Sequence, residues 1–477
     1  MATKRDQLQS HQFLVQRMIS ALVTRESDPE QPPFRRPALA AFGSIAVAVL
    51  ALACVWVYGL IVPGGNKSWQ SGNAVVVEKE TGTRFVYLDG RLHPVTNYVS
   101  ALLVLNKKAA TRSVSRRSLA DVPRGPKVGI PDAPDALPDR GRLLTGGWTS
   151  CSEPALDVAG ARTSESVLLV GHRPPGGTPL DDAAMLVEVI ETGDQYLIAR
   201  GYRHRIQLAD SVAVGLALGS EPWARVGSAF VDVLPAGQPI APLRIDGVGK
   251  PSGILPGRPS TRTGQLFVVR TASGGVQHYV AETNGLRPIS ALQFDIQRAY
   301  APMKAAHAGQ APWGIELDLL SAGQARRPAP AETSLGAAPA ARPRFVAPHD
   351  GVGTVCADFE PGEPVPEVFI DPVMPARDPL TVTTSRAAAG TSRADRVIVP
   401  PGHAAVVEAL QTPQTPAGTV SLVTDLGRSH PFDPALLEVL GYGGVRPVRI
   451  PEALVARIPQ GSGLTPAAAM KQTAGVS

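Results

Sequence analysis

The chain has 477 residues, and its 46 Lys and Arg against 41 Asp and Glu give a formal net charge of +5. Charged residues make up only 18% of the chain, and 47 Gly with 46 Pro indicate many turns, so a long coiled coil is excluded. A hydrophobic share of 44% with a mean hydropathy of +0.02 excludes a polytopic membrane protein and a wholly disordered chain.

The first predicted element is an amphipathic helix within residues 1–37. Its apolar side chains recur at helical spacing and form one face. We call this face the docking stripe: Leu14, Val15, Met18, Ile19 and Leu22. A single short helix has no core of its own, so the stripe must bury against lipid headgroups or against a partner helix. We favour a partner, because few basic residues accompany the stripe.

The second predicted element is a membrane-spanning helix over residues 38–62, a run without a charged side chain. At about 1.5 Å per residue, the run is long enough for a hydrocarbon core of roughly 30 Å. Arg35 and Arg36 stand directly before it, and the positive-inside rule therefore places the N-terminus in the cytoplasm and the remainder outside. A cleavable secretory signal is the alternative, but the apolar run is longer than signal peptides have.

The three cysteines fit this topology. Cys54 lies within the predicted span, whereas Cys151 and Cys356 lie outside it. In an oxidising compartment, two distant cysteines most simply form one disulfide. Two buried free thiols are the alternative. A metal site is disfavoured, because neither cysteine belongs to a C-x-x-C pair and no histidine pair has ligand spacing.

One short unit recurs four times in the outer region. Each copy has β-forming residues, a glycine turn, a second short strand and a helix, so the unit is predicted to be ββα. The turn glycines are Gly90, Gly201, Gly285 and Gly427. The third copy is one residue shorter after its glycine, and the glycines are unevenly spaced. This spacing argues against a plain solenoid and leaves two stretches unassigned.

Each unassigned stretch contains one of the outer cysteines, so we expect the two stretches to pair as a separate central domain. The fold class is therefore α+β, with one membrane helix, four ββα-type repeats and a central disulfide-linked domain. The predicted divisions after the span are a linker at 63–74, repeat 1 at 75–139, the central domain at 140–185 and 345–400, repeat 2 at 186–255, repeat 3 at 256–320, a linker at 321–344, repeat 4 at 401–470 and a tail at 471–477.

Motifs that carry chemistry are scarce. The text GGNKS at 64–68 lacks the spacing of a phosphate-binding loop, and neither H-E-x-x-H nor G-x-S-x-G occurs. His93, His204 and His430 recur at one repeat position, which suggests either a metal or proton site or a residue that packs locally. We favour local packing, because no carboxylate accompanies them consistently. The sequence therefore predicts no catalytic residues, no metal and no cofactor. Nucleic acid is not expected either, since no basic pattern supports it.

Several stretches resemble the EccB family of the type VII (ESX) secretion systems of mycobacteria and other actinobacteria. They follow one another in order over almost the whole chain: SHQFLVQRMISALV at 10–23, PFRRP at 33–37, TRFVYLDGRLHPVTN at 83–97, GIPDAPDALP at 129–138, Trp148 with Cys151, LGY at 440–442 and IPQGSGL at 458–464.

The resemblance implies a core component of an inner-membrane complex that assembles with EccC, an FtsK-like ATPase, with EccD and EccE, and with the mycosin protease. It also implies a homo-oligomer within a hexameric complex, and an elongated periplasmic region of four repeats around a β-rich central domain. Family members are also described as ATPases. The leading hypothesis is therefore a structural subunit for protein export; the alternatives are an ATP-hydrolysing component of the same system and a cell-wall-binding anchor.

Overall fold

The computed structural model describes residues 3–23, 25, 35–61, 68–328, 336–377, 392–412 and 414–473. It is a mixed α and β structure, in which two helices precede all of the strands. They are α1 (Lys4–Val23) and α2 (Arg35–Ile61). Within α2, residues Ala38–Tyr58 have a mean hydropathy of 2.5 and no buried part, and in the described chain this is the one helix that could cross a membrane. The predicted span is thus a helix that begins three residues earlier than expected.

The first sheet follows these helices and has four strands. They are β1 (Ala74–Glu78), β2 (Arg84–Leu88), β3 (Arg91–Pro94) and β4 (Ala110–Val114), in the spatial order β3-β2-β1-β4. The first three strands are antiparallel, and β4 is parallel to β1. A parallel return needs a crossover, which is α3 (Tyr98–Leu105). The Asn97 side chain caps α3 by accepting a hydrogen bond from the Ser100 N–H. A short helix, α4 (Arg116–Leu119), comes next.

The next strands in the chain are the first half of a six-stranded sheet, β5 (Trp148–Leu156), β6 (Arg162–Leu169) and β7 (Gly176–Pro179). The second four-stranded sheet contains β8 (Ala184–Val189), β9 (Gln195–Ala199), β10 (Tyr202–Arg205) and β11 (Trp223–Val226), with the helices α5 (Ala209–Gly215) and α6 (Ser228–Val231). The third contains β12 (Leu266–Arg270), β13 (Val276–Ala281), β14 (Leu286–Ile289) and β15 (Gly314–Glu316), with α7 (Ala291–Ala299) and α8 (Leu319–Gln324).

The six-stranded sheet is completed by β16 (Val355–Phe359), β17 (Glu367–Pro372) and β18 (Arg396–Ile398), in the order β18-β6-β5-β16-β17-β7. The fourth four-stranded sheet then contains β19 (Ala404–Leu410), β20 (Thr419–Thr424), β21 (Ser429–Pro431) and β22 (Val448–Pro451), with α9 (Glu452–Val455) and α10 (Pro466–Ala469). Short 3₁₀ turns are Ser68–Ser71, Arg140–Arg142, Leu218–Ser220, Ala301–His307, His349–Gly351 and Pro434–Leu437.

All four four-stranded sheets have the same connectivity. In each, three antiparallel strands are followed by a helical segment and by a strand that is parallel to the first, as the orders β3-β2-β1-β4, β10-β9-β8-β11, β14-β13-β12-β15 and β21-β20-β19-β22 record. The ββα prediction therefore omits the first and the last strand of each sheet. Strand β4 shows why: four of its five residues are exposed, so it carries no apolar alternation that would mark a strand.

The predicted linker at 321–344 needs a correction, because its beginning is part of the fold. Residues 321–324 belong to α8, and Ala322 is only 3% exposed while Ala325 is 6% exposed. The carbonyl oxygen of Arg326 accepts a hydrogen bond from the Leu286 N–H at 2.7 Å. Small side chains such as those of Ala322 and Ala325 can be buried where two backbone segments lie close together. The lack of large apolar residues in this segment is therefore no sign of exposure. Residues 329–335 lie outside the described residues.

Similar corrections apply to the linker at 63–74 and to the tail. Trp69 is buried and packs edge-on against Tyr87, with ring centroids 5.5 Å apart. At the other end, the Thr473 N–H donates to the Lys127 carbonyl oxygen at 3.1 Å. Residues 63–67 and 474–477 are not among the described ones.

The hydrophobic cores join units that are far apart in the chain. One core combines residues of the first and fourth sheets, such as Val86 and Leu422. Another combines the six-stranded sheet with the second and fourth sheets, through residues such as Trp148 and Ile198. Burial of such apolar surface is the main stabilising contribution to folding. The sheets after residue 68 therefore share hydrophobic cores and do not form independent domains.

Candidate assembly site

The docking stripe is exposed on α1. Leu14 is 57% exposed, Met18 61% and Leu22 83%, whereas Ile19 is half-buried. Leu14, Met18 and Leu22 lie at spacings of four and therefore share one helix face, with Ile19 beside them. Exposed apolar side chains in a contiguous row are typical of a surface that binds a partner or a lipid interface.

The anchor helix α2 is equally uncovered, because none of the window Ala38–Tyr58 is buried against the rest of the described chain. An apolar helix of this length is stable in a bilayer, where its backbone groups are satisfied internally. Arg35 and Arg36 fall in its first turn, but their side chains lie outside the described residues. The chain thus has one candidate membrane anchor in its described part.

The disulfide ties the two halves of the six-stranded sheet together. Cys151 on β5 and Cys356 on β16 are directly opposite in antiparallel register, and their sulfurs are 1.98 Å apart. Both residues are fully buried beside Val167 and Phe369. The bond joins strands that are 205 residues apart in the chain, so it fixes a long-range pairing. The predicted disulfide is present.

A buried ion cluster lies on the same sheet and was not anticipated. Glu153 and Glu165 are directly opposite each other on β5 and β6, a destabilising arrangement for like charges. Arg396 is 2% exposed and compensates them: its Nη2 contacts Glu153, and its Nε lies 3.0 Å from Oε1 of Glu165. Burial raises the pKa of the Glu153 carboxyl, although the Arg396 charge opposes that effect. Residues this far apart in the chain leave no local sequence signal.

The repeated histidines pack locally, as the sequence analysis favours. Each Nδ1 lies within hydrogen-bond distance of a backbone carbonyl oxygen in the segment beside its strand: His93 to Pro126 at 3.2 Å, His204 to Gln238 at 2.8 Å, and His430 to Ser462 at 3.1 Å. The described residues contain no group of three or more side chains that could hold a metal. Burial lowers the pKa of His204, so its ring is neutral at pH 7.

A glycine lies against each of these histidine rings. A Cβ atom would be 2.2 Å from the ring at Gly125, 2.4 Å at Gly237 and 2.2 Å at Gly461, which is closer than side-chain atoms can approach. Each of the three glycines follows its histidine by 31 to 33 residues and is the last residue of a Pro-x-Gly motif. Because the Pro-x-Gly motif recurs at this spacing in the first, second and fourth copies, the sequence contains a signal for the contact between histidine and glycine.

Three of the repeat-turn glycines have a left-handed backbone, with φ of +75° at Gly90, +77° at Gly201 and +65° at Gly427. Gly285 also lies in the connection between two strands, β13 and β14, but it is not among the residues with positive φ. Glycine is needed at this position because the backbone of Arg326 approaches closely: a Cβ atom would lie 2.7 Å from the Arg326 carbonyl oxygen.

A cavity of about 820 Å³ lies between the first and fourth units and is lined by charges of both signs. Asp132 on its wall accepts a hydrogen bond from the Ser462 N–H at 2.9 Å. Burial raises the pKa of this carboxyl, but the Ser462 hydrogen bond and the His430 charge outweigh it and hold the pKa below its usual value. The group therefore stays ionised, and its hydrogen bond to Ser462 joins the first and fourth units.

Residues 64–67 of the GGNKS segment lie outside the described residues.

Comparison with known proteins identifies the family. The family model described as "Type VII secretion system ESX-1, transport TM domain B" matches residues 1–477. A relative named "ESX-2 secretion system ATPase EccB2", from Mycobacterium tuberculosis, is 29% identical over 98% of this chain and 94% of its own length.

Solved structures have the same fold. A chain in the structure of an intact ESX-5 inner membrane complex superposes with a TM-score of 0.65 at 23% identity, over 100% of this chain and 96% of that one. A chain of an EccB3 dimer from the ESX-3 core complex gives 0.63 at 22% identity, over 84% of this chain and 100% of that one.

Proposed function

This chain belongs to the EccB family of type VII secretion proteins, and we propose that it is a structural core subunit of a type VII secretion membrane complex. In this role α2 anchors the chain, α1 docks to a cytoplasmic partner, and the outer sheets oligomerise to frame the export route. The partners are those expected of the family, namely EccC, EccD, EccE and the mycosin protease.

One observation carries the proposal. Two apolar helix surfaces are exposed in the described chain: four residues of the docking stripe on α1, namely Leu14, Val15, Met18 and Leu22, and the whole of Ala38–Tyr58. Exposed apolar surface of this extent is unfavourable in water. A bilayer covers the second surface, and a partner subunit covers the first.

The proposed orientation places α1 in the cytoplasm and the sheets outside. Arg35 and Arg36 before the span support it through the positive-inside rule. The Cys151–Cys356 disulfide supports it independently, because disulfides persist in oxidising compartments.

The outer region is proposed to consist of four copies of one unit around a central domain. The shared strand order of the four small sheets supports the common unit. The six-stranded sheet supports the central domain, because its strands come from two separate stretches of the chain and the disulfide joins them. Such an arrangement presents several similar surfaces, which suits assembly with copies and partners.

The test uses the full chain, tagged and expressed in an organism that has the secretion system. Met18→Glu/Leu22→Glu places two charges in the docking stripe, and we expect the variant to lose co-purification with the EccC motor while remaining in the membrane. Gln9→Glu/Gln16→Glu adds the same charges to the opposite face of α1 and should co-purify normally. Equal recovery of the motor with both variants would contradict the docking role.

Nucleotide hydrolysis is the second candidate function, and the names of the relatives favour it, since the EccB2 protein is called an ATPase. The test measures phosphate release by the full chain in neutral detergent against a heat-denatured sample. Turnover above that control that co-elutes with the folded protein would support hydrolysis. Turnover that stays equal to the control would remove this candidate and leave the structural role intact.

A further inference from the structure

A cleft of about 430 Å³ lies beside the end of the β5–β6 pair and has three arginines among its lining residues. Arg162 comes from the start of β6, Arg225 from β11, and Arg377 from the segment after β17. The three arginines are therefore contributed by separate parts of the chain that the fold brings together. The volume is within the roughly 300–1,000 Å³ typical of small-molecule sites.

Of the three arginines that line the cleft, only Arg377 forms a salt bridge among the described residues. Arg162 and Arg225 are exposed, and within the described chain neither forms a salt bridge. Arg225 stands opposite Glu188 on the neighbouring parallel strand, but no ion pair joins the two. Arg377 lies 3.2 Å from Glu165. No Asp or Glu is among the described residues that line the cleft.

Two acidic residues on the strands that border the cleft are already neutralised. Glu153 and Glu165 are held by Arg396, which is buried, and Glu165 is also paired with Arg377. These two carboxylates and two guanidinium groups balance each other. The charges of Arg162 and Arg225 therefore remain available, and together they match a group with a charge near −2.

Apart from Thr163, the rest of the wall is apolar and includes Leu156, Ile190 and Val352. Guanidinium groups bind phosphate oxygens through paired N–H donors, and a phosphate monoester carries about −1.5 to −2 at pH 7. A carboxylate supplies only one charge. We propose that this cleft binds an organic phosphate, with the dianionic group on the arginines and the organic part against the apolar wall.

Calorimetry on the full chain in neutral detergent tests this, with phenyl phosphate as the probe. We expect the wild type to bind it, and Arg162→Gln/Arg225→Gln to bind at least tenfold more weakly with an unchanged circular dichroism spectrum. Arg298→Gln removes an exposed arginine of α7, away from the cleft, and should bind like the wild type. No binding to the wild type, or equal binding to the double variant, would overturn the site.

Two comparisons test the ligand class. Benzoate has a similar ring but one charge and should bind at least tenfold more weakly; equal affinity would overturn the dianion assignment. Inorganic phosphate lacks the apolar part and should also bind more weakly, and equal affinity would overturn the contribution of the apolar wall. Val352→Asp, at an exposed wall position, keeps all arginines and should weaken phenyl phosphate binding. It serves as the second variant if the double arginine variant does not fold, and unchanged affinity in it would contradict the site.

Discussion

The Nδ1 atom of His204 lies 2.8 Å from the carbonyl oxygen of Gln238. The ring packs against Gly237, the residue before Gln238. This contact joins β10 to a Pro-x-Gly segment that runs beside it, where Arg203 and Ile206 form parallel bridges to Ala236 and Ile240. The first and fourth units have the same histidine contact. The recurring histidine therefore adds a side-chain contact to the backbone pairing between the strand and the Pro-x-Gly segment.

Gly237→Ala should destabilise the protein, because the added methyl group would lie 2.4 Å from the His204 ring. Overpacking of this kind costs about 1–3 kcal/mol. Urea unfolding of the full chain in detergent measures the change in free energy. Gly253→Ala is the matched control, since a Cβ atom there meets nothing within 4 Å. A loss no larger than that of the control would contradict the packing role.

Acidification should reduce stability through His204. Burial lowers the pKa of this ring in the folded state, so the unfolded chain binds the proton more readily. The stabilising contribution is therefore present above the unfolded pKa of about 6.5 and is lost as the pH falls below it. His204→Asn should show a smaller loss of unfolding free energy between pH 7.5 and pH 5.5 than the wild type. The control His172→Asn, at an exposed histidine, should keep the full loss; equal slopes for all three proteins would contradict this.

Loss of the disulfide should destabilise the sheets strongly. Cys151 and Cys356 close a loop of 205 residues, and removing a native disulfide typically costs about 2–5 kcal/mol. Cys151→Ser/Cys356→Ser should therefore unfold at a lower temperature, whereas Cys54→Ser, in the membrane helix, should not. Mass mapping under non-reducing conditions should recover a peptide pair that contains both cysteines. Recovery of two free thiols would refute the bond.

Arg396→Met should be among the most damaging single substitutions. It leaves Glu153 and Glu165 opposite each other, partly buried and without their shared cation. Breaking a buried pair from one side costs about 3–5 kcal/mol. Arg298→Met, at an exposed helix position, is the control.

The defect of Arg396→Met should shrink towards acidic pH, because protonation of the two carboxyls removes their repulsion. Burial already raises the pKa of Glu153, so this relief begins above the usual range of a glutamate. Adding Glu153→Gln/Glu165→Gln should restore part of the lost stability. A triple variant no more stable than Arg396→Met would contradict the charge explanation.

The local features of this fold could be predicted from the sequence, whereas contacts between distant segments could not. The turn at Gly90 and the membrane-spanning helix predicted over residues 38–62 each depend on neighbouring residues. Strand β4 could not be recognised, because four of its five residues are exposed and it therefore lacks an alternation of apolar residues. The Arg396 cluster was equally hidden, since its glutamates come from strands more than 200 residues earlier in the chain.

The central claim is that the chain is a structural subunit of a secretion membrane complex. Electron cryomicroscopy of the detergent-extracted complex, purified through a tag on this chain, tests it most directly. We expect particles in which several copies contribute one membrane helix each. In each copy, the four small sheets and the disulfide-linked sheet should lie on one side of the membrane. On the other side, α1 should lie against another subunit. Isolation of the chain only as a monomer, with α1 and the sheets on the same side, would contradict it.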